Sequence, residues 1–187
     1  MRNITTIAEH NICLDLLPKK ATILDAGCRG MQFTEELRAL GHYVYPLDCD
    51  TLPNTDYFQF ALSNKQEPYS VVNTNDPQAT HIELCTFSDK LTHTIESFSK
   101  IVNVNHWDLI KLDIEGAEIA ILEDAKHPIA DQVSVEFHAH CTKQTQASID
   151  LLLTHLSNWY TIHNAVWESK HGAGFNYWSV LLIKKGL

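Results

Sequence analysis

The chain has 187 residues, of which 44% are hydrophobic and 20% are charged, with a formal net charge of -9. A chain of this length supports one domain with a substantial core, and its acidic balance argues against a nucleic-acid partner, because phosphate binding needs clustered Lys and Arg. No apolar run is long enough for a bilayer or a signal peptide, so we expect one cytoplasmic domain over 1–187 with no membrane insertion. The sequence does not indicate the oligomeric state.

Strand and helix patterns alternate from the start of the chain. Apolar residues at roughly helical spacing predict an N-terminal helix over 1–20 that packs on the main sheet. "ATILDAG" then predicts a strand and "MQFTEELRAL" a helix, followed by strands at "HYVYPLD" and "FQFAL". Residues 63–91 are irregular, with short strands at "YSVVN" and "THIELCTF". We expect that region to cover an edge or the mouth of the sheet.

The alternation continues through the second half of the chain. "THTIESFSKIV", "GAEIAILEDA" and "TKQTQASIDLLLTHLSN" predict helices, and "WDLIKLD" and "DQVSVEFH" predict strands. "WYTIHNAVWE" and "NYWSVLLIK" predict a final hairpin around the turn "HGAG". Alternating strands and helices require a mostly parallel sheet that is covered on both faces. The predicted fold is therefore α/β, a doubly wound seven-stranded mostly parallel sheet with a C-terminal antiparallel hairpin.

Acidic and small residues stand where the first two strands of the sheet end, which is where such sheets bind ligands. Gly27 and Gly30 follow the strand that ends at Asp25, without the GxGxxG of a dinucleotide site. Asp25 would repel a phosphate and attract a cation, so S-adenosylmethionine fits better, having an ammonium, a sulfonium and no phosphate. Asp48 is placed to accept hydrogen bonds from ribose hydroxyls. The less favoured alternative is that both acids are only turn and helix-cap residues.

The stretch "DLIKLDIEGAEIAIL" ends an apolar strand in a burst of charge. Charged groups in a buried strand are costly unless they are paired or employed. We expect Lys111 to neutralise a neighbouring carboxylate, and Glu118 to lie in the first turn of a helix, where the helix dipole favours an acid. Asp113, Glu115 and His138 lie near the ends of the fourth and fifth strands, and they are the candidate bases for deprotonating an alcohol.

The sequence "EFHAH" also allows a metal interpretation, because His138 and His140 alternate onto one face of a strand. With Asp113 they would form a mixed nitrogen and oxygen site. Eleven histidines in the chain make an accidental pair easy. We expect no metal, and Asp113, His138 and His140 are the candidate ligands if a divalent cation does bind.

Several motifs in order resemble the FkbM family of S-adenosylmethionine-dependent methyltransferases. They are "TILDAGCRG", "VYPLD", "FQFALSN", "THTIESF", "DLIKLDIEGAEIAIL" and "VSVEFH", and the likeness covers about 21–140. Arg29 stands where the family has Asn, and Met31 stands where it has a glycine, since Gly30 comes one residue early. Asp48 and Cys49 replace the family's Glu-Pro.

The resemblance implies a Rossmann-like class I methyltransferase domain that methylates a hydroxyl of a sugar, a glycolipid or a natural product. It implies S-adenosylmethionine as cofactor and a small-molecule or saccharide acceptor as partner. The implied cofactor-binding residues are Asp25, Gly27, Cys28, Gly30, Asp48, Cys49, Ala61 and Leu62, and the implied catalytic residues are Asp113, Glu115 and His138. The alternative is a catalytically inactive protein that uses the methyltransferase fold as a binding scaffold.

Overall fold

A computed structural model describes residues 2–53, 56–72, 81–86, 88–138, 145–170 and 175–187, with the backbone alone described at 164–170 and 175–178. The strands in these ranges are β1 (Ile4–Ile7), β2 (His10–Cys13), β3 (Thr22–Ala26), β4 (Tyr43–Asp48), β5 (Phe58–Gln59), β6 (Tyr69–Val72), β7 (His81–Leu84), β8 (Leu109–Leu112), β9 (Gln132–His138), β10 (Tyr160–Lys170) and β11 (Phe175–Lys184). The α-helices are α1 (Gln32–Ala39), α2 (Ile95–Val102), α3 (Glu118–Glu123) and α4 (Gln146–Leu156).

Seven of these strands form the main sheet, in the order β10-β11-β9-β8-β3-β4-β5. The strands β5, β4, β3, β8 and β9 pair in parallel, whereas β11 is antiparallel to both β9 and β10. The chain builds outward from β3 through β4 to β5, and then continues on the other side of β3 with β8. The predicted doubly wound fold is confirmed, and strand order reverses between β3 and β8, where such sheets bind ligands.

Local signals explain where the helices begin and end. Thr94 caps α2 by accepting a hydrogen bond from the Ser97 N–H, and Asn103 ends that helix in the left-handed conformation. Thr145 and Ser148 form a capping box at the start of α4. The predicted helices at these positions are confirmed.

The two faces of the sheet bury different partners, because side chains alternate along each strand. Leu24, Ile110 and Val133 lie in the larger core with helix residues such as Leu122 and Leu152. On the other face, Ile23 and Leu109 pack with Phe33 and Leu37 of α1 and with Ile7 and Ile12 of the N-terminal segment. Asp25 and Lys111 share the alternation of Ile23 and Leu109, so they face the second layer.

The predicted helix over 1–20 is wrong. This segment forms the antiparallel hairpin of β1 and β2, followed by a short 3-10 turn at Leu14–Leu16. Every second residue of β2 faces the sheet, which buries His10 and Ile12. The apolar spacing fits both a helix and a strand, and the deciding contacts come from distant residues. The amide of Gln132 binds the backbone N–H and C=O of Cys13 at 2.9 and 3.0 Å.

The described residues between β5 and α2, 60–72, 81–86 and 88–94, are more irregular than the main sheet, as predicted. Strand "FQFAL" is reduced to the two residues of β5, and Leu62 pairs with His93 only through an isolated bridge. The two predicted short strands are present as the antiparallel pair β6 and β7. Among the helices in the described part of the chain, none is both long and apolar enough to cross a membrane.

Candidate active site

The loops that follow β3 and β8 touch through their backbones at the point where strand order reverses. Gly27 has a φ of +84°, and a Cβ added there would lie 1.7 Å from the carbonyl oxygen of Asp113. Only glycine fits this approach, because any side chain would overlap backbone atoms. The loop bearing the predicted cofactor residues is thus fixed directly against the loop bearing the predicted catalytic acids.

The loop after β3 keeps a tight shape despite its unusual sequence. The N–H groups of Gly27 and Cys28 both donate to the Leu47 carbonyl of β4, at 2.8 and 3.1 Å. Met31 immediately precedes α1 with a φ of +54°, a left-handed conformation that favours glycine. A Cβ on Gly30 would meet no atom within 4 Å. Met31 therefore adopts the strained conformation at the position where the family has glycine.

Asp48 ends β4 beside this loop and is 7% exposed. Its Oδ1 accepts the Asp50 N–H at 2.9 Å, and Asp50 in turn pairs with Arg29, whose Nη2 lies 2.5 Å from Oδ2. Burial raises the pKa of Asp48, while the Asp50 N–H and the charge of Arg29 act in the opposite direction. Burial also raises the pKa of Cys49 to about 12 and that of Cys28 still further, so both thiols remain uncharged at neutral pH.

Asp25 lies beneath the loop and is fully buried. Its Oδ2 accepts the Thr34 hydroxyl at 2.5 Å, and its Oδ1 lies 3.1 Å from the Lys111 ammonium. Lys111 also donates to the Gly27 carbonyl at 2.8 Å. Asp25 is thus engaged with α1 through Thr34 and reaches the loop only through Lys111, and it has no exposed surface for direct contact with a ligand.

Lys111 is almost completely buried and lies between two carboxylates, as expected from the sequence. Its Nζ is 3.3 Å from Asp113 Oδ2 in addition to its contact with Asp25. Burial disfavours the ammonium, but the two carboxylates outweigh burial and hold the pKa of Lys111 above its ordinary value. Burial likewise opposes the charge of Asp113, and the charge of Lys111 with the hydrogen bond of His10 holds its pKa well below the usual range.

His138 ends β9 and is held by a carboxylate on α3. Its Nδ1 lies 3.1 Å from Oε1 of Glu118, a fully buried side chain that also accepts the N–H groups of Ile114 and Gly116 at 2.8 and 2.9 Å. Burial disfavours the imidazolium, but Glu118, Asp113 and Glu115 outweigh it and raise the pKa of His138 to about 10. Glu118 therefore acts as an anchor for both the loop and the imidazole.

The other nitrogen of His138 faces the remaining predicted catalytic acids. Its Nε2 lies 3.5 Å from Asp113 Oδ1 and 3.6 Å from Glu115 Oε1. Glu115 reaches this position with a left-handed backbone, φ +56°, so it leaves the extended path of β8. Asp113, Glu115 and His138 are thus brought together by the fold.

Ala61 and Leu62 lie one strand further along the sheet, after β5. Both are buried, and the backbone around them is held by the His93 N–H on the Ala61 carbonyl and the Ser63 N–H on the His93 carbonyl. They follow the strand next to β4, so they line the same edge of the sheet as Asp48.

Two residues near Asp113 were not assigned to the site from the sequence. The sequence predicts Glu118 in the first turn of a helix, where the helix dipole accounts for its charge, and the apolar residues around it are the signal that could have indicated its burial. His10 lies in the N-terminal hairpin, and its Nε2 is 3.3 Å from Asp113 Oδ2. The alternation of buried and partly exposed residues in "HNIC" is the sequence signal that could have placed His10 on a strand facing the sheet. The prediction of a helix over this segment hid that signal.

The structure contains candidate metal-ligand groups that differ from the predicted one. His10, Asp113 and Glu136 place potential ligand atoms within 4.8 Å of one another, as do His106, Asp108 and Asp131 near the opposite edge. His138 belongs to neither group, and His140 lies outside the described residues. In the first group, the Lys111 ammonium already contacts the Asp113 oxygen nearest His10, which disfavours a second cation there.

The donor set around Gly27, Gly30 and Asp48 fits a cofactor with positive charge and no phosphate. Asp48 offers a carboxylate at the second strand end, and the space beside Gly30 is open. The basic groups nearby are already paired, since Arg29 contacts Asp50 and Lys111 lies between Asp25 and Asp113. A pyrophosphate would find no unpaired cation among them, whereas a sulfonium and an ammonium are compatible with the acids.

The family model of the Methyltransferase FkbM domain matches residues 27–160 of the chain. This match covers well over half of the chain and includes the loop after β3, the acids after β8 and all of β9. Among curated proteins, no relative matches the chain.

Three solved structures resemble the fold at low sequence identity. A TehB-like SAM-dependent methyltransferase from Corynebacterium glutamicum is 16% identical, with a TM-score of 0.44 over 91% of this chain and 84% of that one. M. capricolum TrmK with S-adenosyl-homocysteine is 13% identical, with a TM-score of 0.47 over 91% and 65%. The Burkholderia thailandensis 1,6-didemethyltoxoflavin-N1-methyltransferase is 14% identical, with a TM-score of 0.44 over 89% and 72%.

Proposed function

The chain belongs to the FkbM family of S-adenosylmethionine-dependent methyltransferases, and we propose that it methylates a hydroxyl of a sugar, a glycolipid or a natural product. The observation that carries the proposal is the contact of Gly27 with the Asp113 carbonyl. This contact supports the proposal because the loop that we assign to the methyl donor lies against the acid and imidazole that we assign to the alcohol. Methyl transfer depends chiefly on such positioning.

The cofactor side is proposed to use the loop after β3 and the end of β4. Asp48 accepts hydrogen bonds from the ribose hydroxyls, and Gly27, Cys28 and Gly30 shape the adjoining wall. Asp25 supports this wall from below through Thr34 and Lys111. Cys49, Ala61 and Leu62 provide the uncharged edge beyond Asp48.

The acceptor side is proposed to bind the hydroxyl between Asp113 and His138. When bound, the cofactor supplies an electrophilic methyl group. Asp113 and His138 would hold the acceptor oxygen for transfer of that methyl group, and the sulfur would keep the electron pair of the broken carbon–sulfur bond. The hydroxyl proton leaves to a base of the protein, so atoms and charge balance.

The two candidate bases have different roles in this proposal. The low pKa of Asp113 makes it a poor proton acceptor, so it orients the hydroxyl by accepting a hydrogen bond. His138 in its neutral form takes the hydroxyl proton on Nε2. The positive charge of a bound sulfonium would favour this neutral form, because two nearby positive charges repel each other. Glu115 contacts the same nitrogen and stabilises the imidazolium that forms.

A labelled-methyl transfer screen tests the acceptor class. Free sugars, nucleotide sugars, glycolipids and small natural products are offered with labelled S-adenosylmethionine, with magnesium or with a chelator. We expect transfer to a hydroxyl-bearing acceptor in both conditions. Transfer only to amines or thiols, or none to any acceptor, would contradict the proposal.

Calorimetry with S-adenosylhomocysteine separates the two halves of the site. Asp48→Ala is expected to weaken binding, because the ribose loses its acceptor. Asp113→Ala and His138→Ala are expected to bind the cofactor product normally while losing turnover. Equal turnover in these two variants and wild type would remove the catalytic assignment.

The proposal also places the protein in the cytoplasm, which the four free cysteines among the described residues support.

A further inference from the structure

We propose that His10, which lies on the N-terminal hairpin, is a positioning residue for methyl transfer. It holds one oxygen of the Asp113 carboxylate, so that the other oxygen stays directed at the acceptor hydroxyl. This inference rests on the proposed function for its kinetic consequence. His10 precedes the residues matched by the family domain, 27–160, so this chain completes its site with a segment outside that match.

The contacts of Asp113 divide its two oxygens between different partners. Oδ2 receives both His10 Nε2 and Lys111 Nζ at 3.3 Å each. Oδ1 faces His138 Nε2 at 3.5 Å. The side chain of Asp113 is 27% exposed, so part of it is accessible to a ligand. Two donors on Oδ2 restrict rotation of the carboxylate, which leaves Oδ1 as the oxygen for the acceptor.

The environment of His10 fixes the orientation of its ring. His10 is 2% exposed, and its Nδ1 is buried with no hydrogen-bond partner. The ring packs edge-on against Phe33, with centroids 5.6 Å apart and planes at 80°. The tautomer that carries its proton on Nε2 avoids a buried unpaired N–H and donates to Asp113. Packing and hydrogen bonding thus agree on one ring orientation.

The hairpin is docked on the sheet by specific polar contacts. Gln132 of β9 binds both backbone groups of Cys13, the last residue of β2. Asn11 Nδ2 also reaches the Ser179 hydroxyl of β11 at 3.5 Å. The Gln132 amide binds the Cys13 backbone in the way that a neighbouring strand would, and so it sets the position of β2 along β9. That register brings His10, at the other end of β2, to Asp113.

The turn before His10 has an unusual backbone. Ala8 and Glu9 have φ values of +44° and +70°, the two left-handed positions of a hairpin turn that usually holds Asn and Gly. Tertiary docking therefore holds the turn, because the local sequence does not favour it. Ala8 lies outside the site, so Ala8→Gly is a control that alters the hairpin without altering the imidazole.

The experiment compares His10→Phe, His10→Gln and Ala8→Gly with wild type. Phenylalanine keeps an aromatic ring against Phe33 and removes the N–H, while glutamine retains an N–H donor. We expect all variants to bind S-adenosylhomocysteine within about twofold of wild type by calorimetry. With the acceptor found in the transfer screen, kcat of His10→Phe should fall about 10²-fold, since a small misplacement of a catalytic group has that effect. His10→Gln should recover part of the loss, and Ala8→Gly should match wild type.

A second measurement needs no acceptor. In nitrogen NMR spectra of the imidazoles at pH 7, the His138 signals should move in His10→Phe beyond any change in Ala8→Gly, because both rings bind one carboxylate. Unmoved signals, or a kcat of His10→Phe within twofold of wild type, would overturn the inference. A metal role for His10 would also overturn it. The evidence for that role would be a manganese ion that binds wild type but not His10→Phe, together with loss of wild-type activity when the metal is chelated. Wild type without transfer to any acceptor would instead remove the proposed function, and the NMR result would still decide the role of His10.

Discussion

The proposed cofactor half and the proposed acceptor half of the site are built by different physical means. Around Gly27, Met31 and Asp48 the contacts are mostly backbone hydrogen bonds and tight turns, and the groups involved come from two neighbouring loops. Around Asp113 and His138 the contacts are between carboxylate, ammonium and imidazole side chains that come from four distant parts of the chain. The first half depends on shape and the second on charge, so different substitutions should damage each.

Removing the carboxylate of Glu118 should have the largest effect on the free energy of unfolding. Such an effect would show that the acceptor half depends on charge. Glu118→Ala leaves two backbone N–H groups and a buried imidazole without their acceptor. We expect the free energy of unfolding to fall by about 3–5 kcal/mol, measured by urea denaturation. Glu123→Ala, at the exposed end of the same helix, is the control and should leave stability unchanged. A small loss for Glu118→Ala would show that the charge network is dispensable.

Adding one methyl group to Gly27 should show that the cofactor half depends on shape. Gly27→Ala forces a left-handed alanine and an overlap with the Asp113 carbonyl, so we expect a loss of about 3 kcal/mol. Gly30→Ala is the matched control, because its Cβ meets open space, and it should change stability by less than about 0.5 kcal/mol. Equal effects of the two substitutions in thermal or urea unfolding would contradict the comparison.

Changing pH should sharpen the comparison, because only the acceptor half holds a strongly shifted imidazole. The pKa of His138 rises from 6.5 to about 10 on folding, so the imidazolium stabilises the fold fully below pH 6.5 and this contribution disappears as pH rises through about 10. At about 1.4 kcal/mol per pH unit, the contribution should fall by about 2–3 kcal/mol between pH 7 and pH 9.

The check is the slope of unfolding free energy against pH in wild type and in His138→Gln. The variant should be flatter across this window. Turnover has the opposite sign if His138 is the base, since the unprotonated form increases with pH, and activity should rise over the same range. Parallel stability slopes in the two proteins would exclude a charged His138.

Relieving the strain at Met31 should have the smallest effect and the opposite sign. Met31→Gly places a residue that tolerates φ +54° at this turn, so we expect a gain of about 0.5–1 kcal/mol. Cofactor-product affinity should be preserved, because the loop already has this shape. A loss of stability on substitution would show that the Met31 side chain contributes contacts that outweigh the strain. Differential scanning calorimetry gives the sign directly.

The contrast between the two halves also explains which site residues the sequence could reveal. Gly27 and Asp48 follow strands whose apolar pattern is clear, so their place at the sheet edge was predictable from spacing. Lys111 was expected to pair with a carboxylate, and it pairs with both Asp25 and Asp113. The convergence of Asp113, Glu115 and His138 followed from the ends of two strands that the fold makes adjacent.

His10, Glu118 and the role of Gly30 were not predictable in the same way. The contact of His10 with Asp113 joins residues 103 positions apart, and no local pattern reports a contact of that kind. Gly30 drew attention by its type, although the left-handed conformation fell on Met31. Backbone conformation at a loop is decided by its hydrogen bonds to neighbouring strands, here the Leu47 carbonyl, and residue type gives only a preference.

By itself, the sequence determined the alternation of strands and helices, the doubly wound sheet and the acids at its edge, because hydrophobic periodicity is a local property that survives without knowledge of contacts. Tertiary structure alone decided that residues 4–13 form a hairpin, that Glu118 anchors His138 and that His10 reaches Asp113. Those features depend on pairing between distant segments and on the high cost of leaving a buried polar group unpaired.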